Sequence, residues 1–149
     1  MVNKHAIGNY VLAEIRRKHK NKWQRKYREE NHNVHTRLYE KTKSGFLMRV
    51  YRNIKSRVLG VQPLKAHLYS HIKDIPTKEA FYIWANKNKT FHTLFKVWEE
   101  NGYQRKLTPS VDRINSTKGY EFNNIEWVTH SENSSRGARS KHEKNISNS

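Results

Sequence analysis

Asp112, Arg113 and Asn133 lie in a short segment whose residue types could bind a metal ion and a phosphate. The segment VDRINSTKGYEFNNIEWVTHSEN occupies residues 111–133. Carboxylate and carboxamide oxygens, with water and phosphate oxygens, are the ligands that a hard divalent cation such as Mg²⁺ prefers. Because the chain contains no cysteine, any metal must be bound through oxygen and nitrogen atoms. This pattern indicates metal-assisted hydrolysis of a phosphodiester as the candidate chemistry.

Two strands and a helix must position these side chains. Residues 109–114 (PSVDRI) and 125–128 (IEWV) are typical of short strands, and the polar residues between them are typical of a turn. In residues 129–132 (THSE), a Thr and a Glu have the spacing of a helix capping box, which places Asn133 in the first turn of a helix. A hairpin that packs on this helix can bring Asp112 beside Asn133.

The same stretch carries a family resemblance. Over residues 109–137 the pattern D-[HR]-I…G-Y…N-x-x-W-V-T-x-x-E-N is similar to the HNH, or ββα-metal, endonucleases, especially the free-standing and intron-encoded homing endonucleases of phages. The resemblance implies a divalent metal, Mg²⁺ or Mn²⁺, on Asp112 and Asn133. It implies that Asn124 ties the connecting loop and that Trp127 belongs to the core of the motif. Turns and caps favour Asp and Asn in any protein, so only the whole set at this spacing favours the family.

Arg113 departs from the commonest form of the motif, in which a His follows the Asp and acts as general base. A guanidinium stays protonated at physiological pH, so Arg113 cannot accept a proton from water. Its planar fork suits a non-bridging phosphate oxygen, where charge grows in the transition state. We therefore expect Arg113 to bind phosphate, and the base to be another residue or the metal-bound water alone.

His130 is the leading candidate for the base. It lies three residues before Asn133 on nearly the same helical face, and the positive end of the helix dipole favours the neutral imidazole that a base needs. A solvent-exposed first-turn residue is an equally good interpretation. The further candidates are His67, His71 and His92 as bases, Tyr120 beside the site, and Arg136 as a phosphate contact.

Positive charge is concentrated towards the N-terminus. The 149 residues include 30 Lys and Arg against 13 Asp and Glu, a formal net charge of +17. Residues 16–28 (RRKHKNKWQRKYR) contain no acidic residue and carry Trp23 and Tyr27 one helical turn apart. Such a segment favours contact with nucleic acid over a merely solvated tail. The predicted partner is double-stranded DNA, and the predicted contacts are Arg16, Arg17, Lys18, Lys20, Lys22, Arg25, Lys26 and Arg28.

The predicted fold class is α+β, with a small ββα-metal motif at the C-terminal end preceded by a mostly helical basic region. We divide the chain into a basic arm or helix (1–45), a helical region (46–104), the ββα-metal motif (105–140) and a disordered tail (141–149). No stretch approaches the roughly 20 apolar residues of a membrane span, and no signal peptide is recognisable. These features predict an intracellular protein, located in the cytoplasm of a bacterial host if a phage encodes it.

The sequence thus predicts a metal-dependent DNA endonuclease of phage homing type that nicks or fully cuts DNA by hydrolysing phosphodiester bonds. The alternative is a non-catalytic DNA- or RNA-binding protein in which Arg113 marks a degenerate site. A structural RNA-associated protein would account for the charge but not for the spacing of Asp112 and Asn133. The target sequence, the biological role and the choice between monomer and homodimer stay open.

Overall fold

The computed structural model describes the backbone of residues 4–147 and the side chains of residues 8–140. The contacts divide the chain into two compact units, the first ending at Tyr39 and the second beginning at Glu40. Each unit is described by itself. Among the described residues, no helix combines the length and the apolar composition that crossing a membrane requires.

The first unit consists of two helices, α1 (Lys4–Glu30) and α2 (Val34–Tyr39). They are joined through His32 and Asn33, whose φ angles of 49° and 55° lie in the left-handed region. None of its residues from 8 to 39 is buried. Successive residues of an α-helix are about 100° apart, so the predicted phosphate contacts of α1 lie on all of its sides rather than on one face. The unit is shorter than the arm of 45 residues that the sequence predicts.

Four helices open the second unit, and side-chain caps start three of them. The hydroxyls of Thr42 and Thr77 and the amide oxygen of Asn88 each accept a hydrogen bond from a backbone N–H of the first turn. After the first of these helices, Gly60 takes the left-handed conformation (φ 69°) and ends the turn that follows. The four helices are α3 (Lys43–Val58), α4 (Pro63–Ala66), α5 (Lys78–Lys87) and α6 (Lys89–Glu100).

Aromatic side chains form the core of the second unit. Phe46 of α3, Phe81 of α5 and Phe91 of α6 are fully buried. The ring of Trp127 lies 4.7 Å from that of Phe91 and 5.8 Å from that of Trp84, measured between centroids. Large side chains from separate helices therefore hold one face of the following sheet against the helices.

The sheet has two antiparallel strands, β1 (Pro109–Arg113) and β2 (Ile125–Thr129), preceded by a 3₁₀ turn at Arg105–Leu107. Their register pairs Val111 with Trp127 and Asp112 with Glu126. Because side chains alternate between the two faces, the first pair enters the core and the second faces the other way. The predicted α+β composition is confirmed.

Helix α7 (His130–Ser147) follows β2 directly and packs on the face of the sheet that carries Asp112. The Thr129 hydroxyl accepts from the Glu132 N–H, 3.2 Å away, and starts the helix as the capping pattern predicts. The backbone of α7 extends to Ser147, where the sequence predicts a disordered tail from residue 141. Residues 138–147 contain no Pro or Gly, so nothing in their sequence ends the helix. Residues 148 and 149 lie outside the described part of the chain.

Candidate functional site

Asp112 and Asn133 lie on the same face of the sheet, where β1 meets the first turn of α7. The Asn133 Nδ2 donates a hydrogen bond to the Ser110 hydroxyl, 2.8 Å away. One turn further along α7, the Arg136 Nη1 lies 3.2 Å from the Asp112 Oδ2. Both predicted ligands are half-buried. The hairpin and the helix therefore bring together the two side chains that are 21 residues apart in the sequence.

The orientation of the Asn133 amide suits a cation. Because its nitrogen donates to Ser110, its oxygen is the atom left to accept a hydrogen bond or to coordinate. Within the described residues, neither this oxygen nor the Asp112 Oδ1 has a hydrogen-bond partner. One carboxylate oxygen and one amide oxygen fit a hard divalent cation whose other ligands are water and phosphate oxygens.

A protein-only metal cage is not present at this site. Among the residues whose side chains are described, no group of three or more His, Cys, Asp or Glu is arranged to hold a metal ion. The two ligands predicted from the sequence, Asp112 and Asn133, include only one member of that set. Mg²⁺ usually keeps several waters and takes one or two protein carboxylates together with substrate phosphates, so a sparse protein ligand set is compatible with it.

Arg136 is held by three carboxylates. Its Nη1 lies 2.6 Å from Glu126 and 3.2 Å from Asp112, and its Nη2 lies 2.6 Å from Glu132. The hydrogen bond with Glu126 contributes most to raising the pKa of Arg136 above its usual range, so the group is a permanent cation. In this arrangement Arg136 is the counter-ion of Asp112, whereas the sequence predicts a DNA contact. Sequence reasoning missed Glu126, which the strand register places opposite Asp112.

Arg113 lies on the opposite face of β1 from Asp112, because neighbouring side chains of a strand alternate. Its Nη1 donates to the backbone carbonyls of Ser116 and Lys118, each 3.0 Å away. Its guanidinium carbon lies 4.8 Å from the centre of the Tyr69 ring. The structure therefore places Arg113 as an anchor of the loop between the strands and does not bring it to the face that carries the candidate metal ligands.

Asn124 holds the same loop from its other end. Its amide oxygen accepts from the Asn115 N–H, 3.0 Å away, and its Nδ2 donates to the carbonyls of Asn115 and Gly119, 3.1 and 2.8 Å away. It is the one buried polar side chain among the described residues. Because Asn124 directly precedes β2, this network sets the geometry at which the second strand begins.

Tyr120 belongs to the loop between the strands and is 2% exposed. Burial raises the pKa of its hydroxyl above the usual range, although the nearby charge of Arg57 lowers it. The phenol therefore stays neutral at physiological pH, which makes it a poor general base.

His130 lines a cleft between α3 and the start of β1. The cleft has a volume of about 330 Å³, and His130 reaches it from the first position of α7. Ser110, the partner of Asn133, lines it as well, so the cleft adjoins the candidate metal ligands. The polar residues that line it are Arg49, Asn53, Arg57, Thr108, Ser110 and His130.

The other histidine candidates lie in different surroundings. His92 is bonded through both ring nitrogens, to the Lys43 ammonium at 3.0 Å and the Asn86 carbonyl at 2.7 Å. His71 lines a second cavity of about 300 Å³ beside the loop between the strands. His67 is exposed at the end of α4. Of the four histidines named as candidate bases, only His130 shares a cleft with a hydrogen-bond partner of Asn133.

The predicted phosphate contacts of α1 are all exposed. Three of them, Arg17, Arg25 and Lys26, form ion pairs with Glu residues one turn away on the same helix. Such exposed ion pairs contribute little to the stability of a helix, and salt weakens them further. The rings of Trp23 and Tyr27 stack on each other, with centroids 5.5 Å apart. The helix therefore offers mobile surface cations rather than a shaped site.

Comparison with known proteins gives no independent assignment. No family model matches the chain, and no curated protein or solved structure matches it. The interpretation of the site therefore depends on the residues themselves and on the contacts described above.

Proposed function

We propose that this chain is a metal-dependent DNA endonuclease in which β1, β2 and α7 form an HNH-type ββα-metal centre. The observation that supports it most is that Asp112 and Asn133 lie on one face of the hairpin, each with a side-chain oxygen that has no hydrogen-bond partner among the described residues. The phage homing role and a location in the bacterial cytoplasm are proposals from the family resemblance alone.

In the proposed reaction, Asp112 and Asn133 hold Mg²⁺ or Mn²⁺, which would polarise the phosphodiester and acidify the attacking water. The Ser110 hydroxyl accepts a hydrogen bond from the Asn133 Nδ2 and so leaves the Asn133 amide oxygen to bind the cation. His130 is the proposed base that accepts a proton from water, since it lines the cleft beside these residues. Asn124 and Arg113 act on the geometry of the hairpin through the loop that they anchor.

Arg136 adds a condition to this proposal. Its guanidinium binds the Asp112 carboxylate, which is also the proposed ligand of the divalent cation. Two positive charges on one carboxylate lie close enough to repel each other. Binding of a cation would therefore weaken the ion pair with Asp112. The pairs with Glu126 and Glu132 would keep Arg136 on the helix face during this exchange.

The same ion pair is the observation that favours the second candidate function. A carboxylate already paired with Arg136 is what a degenerate metal site would contain. In that case the chain would be a non-catalytic DNA- or RNA-binding protein whose affinity depends on its positive charge.

A cleavage assay on supercoiled plasmid DNA separates the two functions. We expect the wild type to produce nicked or linear plasmid with Mg²⁺ or Mn²⁺ and no product with EDTA. Asp112→Ala should abolish cleavage and leave DNA binding close to wild type, and Asn133→Ala should do the same with partial recovery in excess Mn²⁺. Asp74→Ala, an exposed carboxylate in the second cavity, is the control and should cleave normally.

Cleavage by Asp112→Ala at the wild-type rate, in a preparation free of host nuclease, would overturn the metal assignment. Plasmid that stays intact with every metal, while the protein still binds DNA, would favour the non-catalytic function.

A further inference from the structure

The cleft beside the candidate metal ligands has a cationic stripe along one wall. Arg49, Asn53 and Arg57 of α3 all line it, and their spacing of four residues places them on one face of the helix. At 1.5 Å of rise per residue, the two arginines are separated by about 12 Å along the helix axis. Phosphates of one DNA strand recur about every 3.4 Å along the duplex, so the stripe spans several nucleotides.

The charges of this cleft differ from those of the other described cavity. No acidic residue lines the cleft, whereas the cavity of similar size beside His71 is lined by two lysines and two carboxylates, Asp74 and Glu121. Opposite charges cancel in the second cavity. Only the first has the unbalanced positive lining that attracts an anion.

Both arginines have side chains of other residues near them. The Arg49 Nη1 lies 3.1 Å from the Glu40 carboxylate, and its guanidinium carbon lies 5.2 Å from the centre of the Phe46 ring. Arg57 lies close enough to the buried Tyr120 hydroxyl for its charge to lower the pKa of that group. These contacts use part of each guanidinium, and each has five N–H donors. Donors are therefore left to bind phosphate from positions that are already ordered.

We propose that this cleft binds the sugar-phosphate backbone of one strand of the DNA substrate, with Arg49 and Arg57 as the phosphate contacts. The proposal rests on the proposed endonuclease function and specifies how its substrate reaches the site. Ser110 belongs both to the cleft and to the hydrogen bond that orients Asn133, so a strand in the cleft passes beside the candidate metal ligands. The sequence predicts that Arg113 binds the substrate phosphate, but Arg113 is bonded to loop carbonyls. In this proposal Arg49 and Arg57, which precede the hairpin, bind phosphate instead.

The test measures binding of a fluorescein-labelled DNA duplex in EDTA over a range of KCl concentrations, with no cleavage required. We expect Arg49→Gln and Arg57→Gln each to lower the log-log slope of affinity against salt by about 0.9, the value for one lost phosphate contact, and the double variant by about 2. Arg49→Lys and Arg57→Lys keep the charge and should restore the slope. Thermal melting of each variant shows whether it is folded.

Arg52→Gln is the matched control. Arg52 lies on the same helix and pairs with the same Glu40, 3.6 Å away, but it does not line the cleft. Its slope should stay within about 0.3 of wild type. Equal losses in all three Gln variants, or no loss in folded Arg49→Gln and Arg57→Gln, would overturn the cleft proposal even if the enzyme cleaves DNA. If the salt slopes change as expected but the protein never cleaves DNA, the cleft proposal stands and the endonuclease function is overturned.

Inorganic phosphate is the second probe, because a free anion could use the same guanidinium groups. We expect wild type and Arg57→Gln to bind it equally weakly in a competition with the labelled duplex. Strong phosphate binding that Arg57→Gln loses, together with unchanged duplex slopes, would show a small-anion site and overturn the strand proposal.

Discussion

Helix α1 and the hairpin with α7 both carry charged residues, but they organise them in opposite ways. In α1 the cations lie on all sides, and the ion pairs join residues three or four positions apart on the same helix. Around Arg136, the guanidinium is shared by carboxylates from β1, β2 and α7. The first arrangement depends on the local sequence alone, whereas the second exists only when three elements are assembled.

This difference suggests a division of work. Exposed cations on a helix attract any polyanion through counter-ion release, without a defined geometry. Chemistry at a phosphodiester needs oxygens and donors held in place by hydrogen bonds of the kind that Asn124 and Ser110 make in the second unit. We therefore expect affinity and catalysis to be separable by mutation.

The largest expected effect concerns affinity. Replacing Arg16, Lys18, Lys20 and Lys22 by Gln keeps good helix formers in α1 and removes four cations that have no ion pair among the described residues. Loss of four phosphate contacts should lower the log-log slope of affinity against salt by about 3 to 4. If wild type and variant bind DNA equally near 1 M salt, the variant should bind roughly thousandfold more weakly at 0.1 M salt. Binding of a labelled duplex at several salt concentrations measures both.

The control removes the same number of charges from the second unit, as Lys78, Lys87, Lys89 and Lys96 replaced by Gln. These exposed lysines of α5 and α6 do not line the cleft. If the two quadruple variants lose slope equally, net charge and not α1 determines the affinity, and the proposed division of work is wrong. A wild-type slope shallower than about 2 would also contradict it.

The next largest effect concerns catalysis. His130→Ala should lower the cleavage rate about a hundredfold or more at neutral pH, the usual size of a general-base contribution, and should flatten the pH dependence of the rate. DNA affinity should change little. His67→Ala, an exposed histidine away from the cleft, is the control. An unchanged rate in folded His130→Ala would assign the proton transfer to another group or to the metal-bound water.

A third test concerns the geometry of the hairpin. Asn124→Ala removes three hydrogen bonds and leaves the Gly119 carbonyl without its side-chain donor, so we expect the free energy of unfolding to fall by about 1–3 kcal/mol. Thermal unfolding followed by circular dichroism should show this as a lower Tm. Asn123→Ala, the exposed neighbour, should unfold like wild type. Equal Tm values for the two variants would show that the hydrogen bonds of Asn124 do not stabilise the fold.

The smallest expected effect concerns the balance of charge at the candidate metal centre. A unit charge and a divalent cation about 6 Å apart in water repel by about 1.4 kcal/mol, so removing the Arg136 cation should strengthen metal binding roughly tenfold. Mn²⁺ binding to Arg136→Gln without DNA, followed by electron paramagnetic resonance, measures this. Arg139→Gln, exposed on the same helix, should bind Mn²⁺ like wild type. Weaker binding by Arg136→Gln than by Arg139→Gln would show that Arg136 supports the site rather than competing for it.

Local patterns predicted much of the second unit. The strands at 109–113 and 125–129, the turn between them and the cap at Thr129 follow from residue type and spacing within a few positions. The apolar residues of α3 recur with helical spacing, and two of them, Leu47 and Ile54, are buried in the core. The end of α7 was not predicted, because a polar composition that is typical of disorder is also compatible with a helix that Thr129 starts.

The roles of individual charged side chains could not be predicted in the same way. Arg113 next to Asp112 in the sequence suggests that both act on one phosphate, but strand alternation sends the guanidinium towards loop carbonyls. Nothing in the local sequence distinguishes Arg49 and Arg57 from the other cations of α3. Their place in a cleft beside Ser110 depends on how α3 packs against β1.

The sequence by itself determined the positive charge of α1, the hairpin with its following helix, and the choice of Asp112 and Asn133 as candidate ligands. These depend on composition and on spacings within about 25 residues, which local physics controls. Only the tertiary structure decided that Arg136 pairs with Asp112, that Arg113 holds a loop, and that His130 shares a cleft with two arginines of α3. A long charged side chain can reach several partners, and the one it meets is set by packing between elements that are distant in the sequence.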